Sequence, residues 1–342
     1  SYGYLSGTYV RDKDAVVASM LICEMAAYYR KQGKNLLQVL EELYAEYGVF
    51  RHSLLNAEFE GASGMAAMQR LMASLREKLA QRHRAQGIPC AADDILMVSG
   101  SQQGLDLAGK VFLEPGDAVL CENPTYLAAL TVFRSYACRP VPVETDGEGM
   151  VLEDLERKLA AHPEAKLMYI IPTFQNPTGK TWSLERRKGV LALAERYGLP
   201  ILEDNPYGDL RYEGETVPTL KSRDTAGIVT YMGSFSKVLS PGLRLGWLIA
   251  APALLEKYAS AKECTDLQTS TLSQMIVDTY LEDNDLDANI RRISALYKGR
   301  RDLMLSAMRT VDTRRYIVSR WNCTHSEPID ENAVALFLCD EN

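Results

Sequence analysis

A lysine and an arginine lie between two apolar runs in the second half of the sequence. Lys237 ends the segment GSFSK, in which Ser234 and Ser236 precede it, and two apolar residues follow it. An amine in such a setting is a candidate nucleophile. Arg244 lies in the segment PGLRLG and could hold a phosphate through two parallel hydrogen bonds. A surface lysine and an arginine paired with a carboxylate are the ordinary alternatives.

A carboxylate, a phenol and an amide follow two other apolar runs. Asp204 comes just after the run at 200–202, and Tyr207 comes one helical turn later. Asn176 lies in the segment QNPTG, which follows the run at 167–171. These groups offer hydrogen-bonding partners to a ligand. The alternatives are a helix cap for Asp204 and a plain turn around Asn176.

A segment of small and polar residues, SGSQQG at 99–104, follows the apolar run at 95–98 and begins a predicted helix. Small residues leave the backbone N–H groups accessible, and the N-terminus of a helix favours an anion. Phosphate is therefore the expected ligand, with Ser101 and Gln102 beside it. Turns of this composition also occur without a ligand, so the segment indicates a phosphate site only in combination with the other groups.

The groups in combination match the requirements of one cofactor. Pyridoxal 5′-phosphate needs a lysine that forms a Schiff base, an acidic partner for its pyridinium nitrogen and a site for its phosphate. Lys237, Asp204 and the segment at 99–104 are of those types. The sequence therefore predicts a site for pyridoxal 5′-phosphate, and no metal site.

Strands and helices in alternation must position these side chains. Short apolar runs alternate with helical patterns such as 184–197. This alternation predicts an α/β fold with a mainly parallel sheet sandwiched by helices, in which ligands bind at the carboxyl ends of the strands. The seven predicted strands span 95–98, 118–121, 140–143, 167–171, 200–202, 228–232 and 245–250.

Composition narrows the class of protein. The 342 residues carry a formal net charge of −7, which argues against a general nucleic-acid partner. No apolar run is long enough for a membrane span, and there is no signal peptide. The seven cysteines are dispersed singly, which indicates a reducing, cytoplasmic compartment. The chain begins with Ser1, so we expect a fragment.

The region from about 75 to 309 resembles the class I/II aminotransferases of fold type I, in the subgroup that contains 2-aminoadipate aminotransferases. The motifs SGSQQGLDL, NPTY, PTFQNPTG, EDNPYGDLRY and GSFSKVLSPGLRLGW carry the resemblance. It implies that Lys237 forms the Schiff base, and that Asp204 keeps the ring nitrogen protonated. It also implies that Asn176 and Tyr207 bind the ring 3-oxygen and that Tyr126 stacks on the ring. The phosphate ligands that it implies are Ser101, Gln102, Ser234, Ser236 and Arg244.

The first 76 residues are helix-rich and resemble a fragment of bacterial phosphoglucomutase or phosphomannomutase. Helices are predicted over 16–29, 36–47 and 65–80, with a turn over 60–64. We therefore expect a phosphohexomutase-like fragment at 1–76, a cofactor-binding large domain with the start of a small domain at 77–309, and an unassigned tail at 310–342. The junction near 75–77 indicates a splice between two genes.

The resemblance implies transamination between an amino acid and a 2-oxo acid, by a homodimer. Because the segments that complete the family's active site are replaced at both ends of this chain, we expect impaired turnover. A non-catalytic cofactor-binding sensor domain and another pyridoxal-phosphate reaction, such as a lyase or decarboxylase, use the same residues and stay open. A phosphohexomutase activity is less favoured, since the phosphoserine loop of that family is missing.

Overall fold

The computed structural model describes residues 15–49 and 61–310, and the chain divides into two units, Ser1–Glu58 and Phe59–Asn342. The first unit contains helix α1, Ala15–Lys31, and helix α2, Leu36–Tyr47. Asn35 and Gln38 form a reciprocal capping box at the start of α2, with each side chain accepting from the other residue's backbone N–H at 2.9 Å. Both helices agree with the sequence prediction.

The second unit is built from nine strands and eight helices among its described residues. The strands are β1 Ile95–Val98, β2 Ala118–Glu122, β3 Arg139–Val143, β4 Thr145–Asp146, β5 Gly149–Met150, β6 Ala165–Ile170, β7 Ile201–Asp204, β8 Val229–Ser234 and β9 Gly246–Ile249. The helices are α3 Gly61–Ala85, α4 Ser101–Phe112, α5 Leu127–Ser135, α6 Leu152–Ala161, α7 Leu184–Tyr197, α8 Pro252–Asp266, α9 Thr271–Asp283 and α10 Leu286–Thr310.

Seven of these strands form one sheet in the order β1-β9-β8-β7-β6-β2-β3. β9 runs antiparallel to both of its neighbours, and the other strand pairs are parallel. The predicted seven-stranded, mainly parallel sheet is thereby confirmed. β4 and β5 form a separate two-stranded hairpin.

Alternate residues of the strands pack against two different layers of helices, one on each face of the sheet. On β6, Leu167 and Tyr169 pack in the cluster that contains residues of α4, α5 and α8. Met168 and Ile170, which point to the opposite face, pack in the cluster that contains residues of α6 and α7. A third cluster joins β1, β8 and β9 to α3, α9 and α10. The predicted sandwich of a sheet between helices is confirmed.

Two sequence predictions differ from or lie beyond this description. The turn predicted at 60–64 is wrong for residues 61–64, because α3 begins at Gly61. The helix continues through good helix formers to Ala85, and propagating an existing helix offsets the cost of about 1 kcal/mol for each glycine. The tail beyond Thr310 lies outside the described residues.

The predicted division at 76/77 falls inside α3, which is continuous across it. The boundary between a mutase-like fragment and a cofactor-binding domain stays a prediction. Over the part of the chain that the structure describes, every helix is too short or too polar to cross a membrane. Within the same residues, no cluster of three or more His, Cys, Asp or Glu side chains is arranged to hold a metal ion.

Candidate functional site

Four strand ends meet at one edge of the sheet, and three of the sequence-predicted residues lie on the segments that leave it there. Because β9 is antiparallel, its first residue, Gly246, pairs with the last residues of both neighbours, Val98 and Ser234. Asp204, the last residue of β7, pairs with Met232 of β8. The segments that carry Ser101, Asp204 and Lys237 therefore leave the sheet side by side.

A concave group of hydrogen-bond donors, here called the cradle, forms where α4 begins. Gly100 precedes the helix with φ of +79°, a conformation that side chains other than glycine rarely adopt. A methyl group at Gly100 would lie 2.5 Å from Nη2 of Arg244, so the guanidinium lies directly against this turn. Ser101 Oγ is buried and has no hydrogen-bond partner among the described residues. Helix N–H groups, a free hydroxyl and a guanidinium are the donors that a phosphate requires.

Two further serines lie on the segment that leaves β8 beside this cradle. A methyl group at Gly246 would lie 3.0 Å from Ser101 N and 2.9 Å from Gly233 O, which shows how closely β8, β9 and the start of α4 approach. Ser234 Oγ accepts from Ser236 N at 3.0 Å, so the two residues form a tight turn at the end of β8. Gln102, in contrast, is exposed on the first turn of α4.

Arg244 occupies a strained backbone conformation. It has φ of 51° and lies in the left-handed region directly after the short 3-10 turn Pro241–Leu243. For a residue other than glycine, this conformation costs about 1–2 kcal/mol and persists only where the surroundings impose it. In this backbone conformation the guanidinium of Arg244 lies against Gly100.

The site also contains a buried carboxylate, whose charge is opposite to that of the basic cradle. Asp204 is 4% exposed, and its Oδ2 accepts a hydrogen bond from the Tyr169 hydroxyl at 2.9 Å. Its Oδ1 is buried and has no hydrogen-bond partner among the described residues. Burial raises the pKa of Asp204 to about 7, and the bond from Tyr169 opposes that rise. A cationic group at Oδ1 would stabilise the ionised form.

The candidate nucleophile, Lys237, lies near the phenol of Tyr207. The Lys237 Nζ is 5.5 Å from the centre of the Tyr207 ring. Tyr207 is 5% exposed and packs in the cluster with Phe174 and Phe235. The backbone N–H of Asn205 donates to Met232 O at 3.0 Å, which ties the Asp204–Tyr207 segment to the strand that leads to Lys237.

Asn176 and Tyr126 lie on two loops that one side chain joins. Gln175 Nε2 donates to the carbonyl of Pro124 at 2.9 Å, and Gln175 Oε1 accepts from Thr178 N at 2.9 Å. Tyr126, at the start of α5, packs against the cluster that contains Tyr169. The loop with the amide and the loop with the aromatic ring are therefore fixed relative to each other.

A buried glutamate at the end of β2 braces this arrangement. Glu122 is 2% exposed, and its two oxygens accept from Ile171 N at 2.8 Å and from Trp182 Nε1 at 3.0 Å. Burial raises the pKa of Glu122 to about 8, against the opposing effect of these donors and of the Gln175 side chain. The two donors lie at either end of the loop that carries Asn176.

A buried arginine holds the same loop from α7. Arg187 is 1% exposed and donates from Nη2 to Pro172 O at 2.7 Å and from Nε to Trp182 O at 3.3 Å. Burial lowers its pKa to about 10, so the guanidinium stays charged at neutral pH. Its hydrogen bonds join the two ends of the loop at 172–182.

Sequence reasoning missed Tyr169, Glu122 and Arg187. A signal existed for Tyr169, because a tyrosine inside an otherwise apolar, central strand must find a partner for its hydroxyl. The signal for Glu122 and Arg187 is weaker. A glutamate at a strand end and an arginine in a helix are usually exposed, and only the fold buries them.

Comparison with known proteins identifies the family to which the chain belongs. The model of the family "Aminotransferase class I and II" matches residues 60–328. An aromatic-amino-acid aminotransferase 1 of Thermococcus litoralis is 47% identical over 242 residues, which are 70% of this chain and 57% of that protein. A 2-aminoadipate transaminase of Thermus thermophilus is 38% identical over 228 residues, which are 66% of this chain and 57% of that protein.

A solved structure shares the fold. The crystal structure of Pyrococcus horikoshii kynurenine aminotransferase in complex with PMP is 39% identical, with a TM-score of 0.65 over 80% of this chain and 65% of that one. This chain thus spans less than two thirds of each of these three proteins. The resemblance of residues 1–76 to phosphohexomutases finds no support in these matches and stays a prediction. Since the family model matches most of the chain, including every residue of the site described above, the chain belongs to the class I and II aminotransferases.

Proposed function

We propose that this chain binds pyridoxal 5′-phosphate and is the cofactor-binding part of an enzyme that transfers an amino group between an amino acid and a 2-oxo acid. The observation that carries the proposal is the buried carboxylate of Asp204 with its unpartnered Oδ1, at the same sheet edge as Lys237 and Arg244. A buried carboxylate oxygen without a partner is unfavourable, and a protonated ring nitrogen would remove that cost.

The residues fit this cofactor at both of its charged ends. The anionic phosphate matches the N-terminus of α4, the free Ser101 hydroxyl and the guanidinium of Arg244, beside which Gly100 leaves room. Ser234 and Ser236 would complete the phosphate site, and Gln102 would reach it from the exposed first turn. Between the two ends, Asn176 and Tyr207 would bind the ring 3-oxygen, and Tyr126 would cover one ring face.

When bound, pyridoxal 5′-phosphate supplies an electron-withdrawing ring that stabilises negative charge at the substrate Cα. Asp204 supports this by holding a proton on the ring nitrogen. Lys237 Nζ would hold the cofactor covalently until the substrate amine takes its place, and the released Lys237 amine would then take the proton from the substrate Cα. Tyr207, 5.5 Å from that amine, and Asn176 orient the cofactor for both roles.

A half-reaction tests the proposal and separates the competing functions. Protein loaded with pyridoxal 5′-phosphate is mixed with an amino acid in the absence of any 2-oxo acid. We expect one equivalent of the matching 2-oxo acid per Lys237 site, and none from Lys237→Ala. Carbon dioxide or sulfide in place of the 2-oxo acid would indicate a decarboxylase or a lyase. Cofactor binding without any product would indicate a sensor domain.

We further propose a homodimer and a cytoplasmic location. Three large apolar side chains near the start of α9 are exposed, namely Leu267 (78%), Leu272 (56%) and Ile276 (47%), and a second copy would cover such a surface. Sedimentation equilibrium is expected to give twice the mass of the chain, and a monomer at all concentrations would refute the dimer. The five cysteines among the described residues are free thiols, which supports a reducing compartment.

A further inference from the structure

Tyr169 lies beside Asp204 on the neighbouring strand. In the register of β6 and β7, Tyr169 is paired with Leu202, so Asp204, two residues further, points to the same face of the sheet. The hydroxyl of Tyr169 donates to Asp204 Oδ2 at 2.9 Å. Tyr169 itself is completely buried. The contact therefore forms inside the protein, where a hydrogen bond to a carboxylate is strong.

The ring of Tyr169 is held in place by its neighbours. It packs edge-to-face on Phe133 of α5, with ring centres 5.7 Å apart. Burial, followed by the nearby Asp204 carboxylate, raises the pKa of Tyr169 well above its ordinary value, with Glu122 and Tyr126 acting in the same direction. The phenol therefore stays protonated and acts toward Asp204 as a hydrogen-bond donor.

We propose that Tyr169 is a positioning residue that holds Asp204 by Oδ2, so that Oδ1 alone is presented to the protonated ring nitrogen of the cofactor. This inference rests on the proposed function and deepens it. The Tyr169 hydroxyl, which the chain supplies, binds Oδ2 of Asp204, and the ring nitrogen of the cofactor would bind Oδ1. The bond also favours the ionised form of Asp204, which is the form that can hold a proton on the ring nitrogen.

The unpartnered Oδ1 is the second observation behind this assignment. It is buried and has no hydrogen-bond partner among the described residues, whereas Oδ2 is occupied. Without the Tyr169 hydroxyl, both oxygens would be unpartnered and the carboxylate could rotate about its Cβ–Cγ bond. The pKa of Asp204, already raised to about 7 by burial, would rise further because the one opposing hydrogen bond is lost.

The test compares Tyr169→Phe with a matched variant, Tyr258→Phe. Tyr258 is also completely buried, and its hydroxyl donates to Thr230 Oγ1 at 3.4 Å, away from Asp204. Each protein is loaded with pyridoxal 5′-phosphate labelled with ¹⁵N in the ring. The ¹⁵N chemical shift then reports, against pH, whether the ring nitrogen carries a proton. Far-UV circular dichroism checks that each variant is folded.

We expect the ring-nitrogen pKa to fall by about one to two units in Tyr169→Phe, a roughly ten- to hundredfold weaker hold on the proton, and to be unchanged in Tyr258→Phe. Equal titrations in all three proteins would overturn the inference while leaving the proposed function intact. A wild-type protein that binds no cofactor through Lys237 would instead overturn the proposed function, and this inference with it.

A second substitution keeps the test decisive if Tyr169→Phe does not fold. Incorporation of 3-fluorotyrosine at position 169 retains the shape of the ring and makes its hydroxyl a stronger donor. The ring-nitrogen pKa is then expected to move in the opposite direction, upward. No shift, or a shift downward, would contradict the positioning role.

Discussion

Replacement of Arg187 by methionine tests how the loop at 172–182 is held. The guanidinium donates to three backbone carbonyls and one hydroxyl, and every one of these bonds would be lost. Breaking such a buried, charged hydrogen-bond network costs about 3–5 kcal/mol, partly because its acceptors are left unpaired. We therefore expect Arg187→Met to lower the free energy of unfolding by about that amount.

The same helix offers a matched control in Arg196. Its side chain is 57% exposed and pairs with Glu156 at the surface, so Arg196→Met is expected to change stability by no more than about 0.5 kcal/mol. Urea denaturation measures both variants. Hydrogen exchange at 172–182 is expected to accelerate only in Arg187→Met. Equal stability of the two variants, or unchanged exchange in this loop, would refute the role given to Arg187.

Two other perturbations address the proposed phosphate cradle and the buried glutamate. Gly100→Ala places a methyl 2.5 Å from Arg244 Nη2 and is expected to weaken cofactor binding at least tenfold in a fluorescence titration. Gly116→Ala, at φ of +94° with open space around it, is the control that adds backbone strain alone. For Glu122, burial raises the pKa from 4.5 to about 8, so its contribution to stability is full below pH 4.5 and is lost as the pH rises to about 8. Glu122→Gln cannot ionise and should flatten that slope in thermal unfolding, and a slope equal to the wild type would contradict the assignment.

The sheet could be predicted because its signal is local. Each of the seven strands is a short apolar run, and the helices between them carry their own periodicity, so α7 is found at the residues predicted. The positions of Lys237, Asp204 and Ser101 follow from the rule that ligands bind at the carboxyl ends of such strands. The antiparallel β9 brings Gly246 to that edge as well.

The braces of the site could not be predicted because their partners are remote in sequence. Glu122 accepts from Trp182, and Arg187 reaches Pro218, through contacts that exist only once the sheet has formed. Read locally, both charged residues suggest solvent-exposed positions. The turn predicted at 60–64 failed over 61–64 for a related reason, since glycine and serine indicate a loop unless the helix that follows extends back through them.

Borohydride trapping followed by peptide mapping tests the central claim most directly. The protein is incubated with pyridoxal 5′-phosphate, reduced and digested, beside Lys237→Ala and a control, Lys257→Ala, which removes an exposed lysine of α8. We expect one stable pyridoxyl group on Lys237 in the wild type and in Lys257→Ala, and none at a defined site in Lys237→Ala. Stoichiometric modification of another lysine, or equal labelling with and without Lys237, would contradict the account of the site.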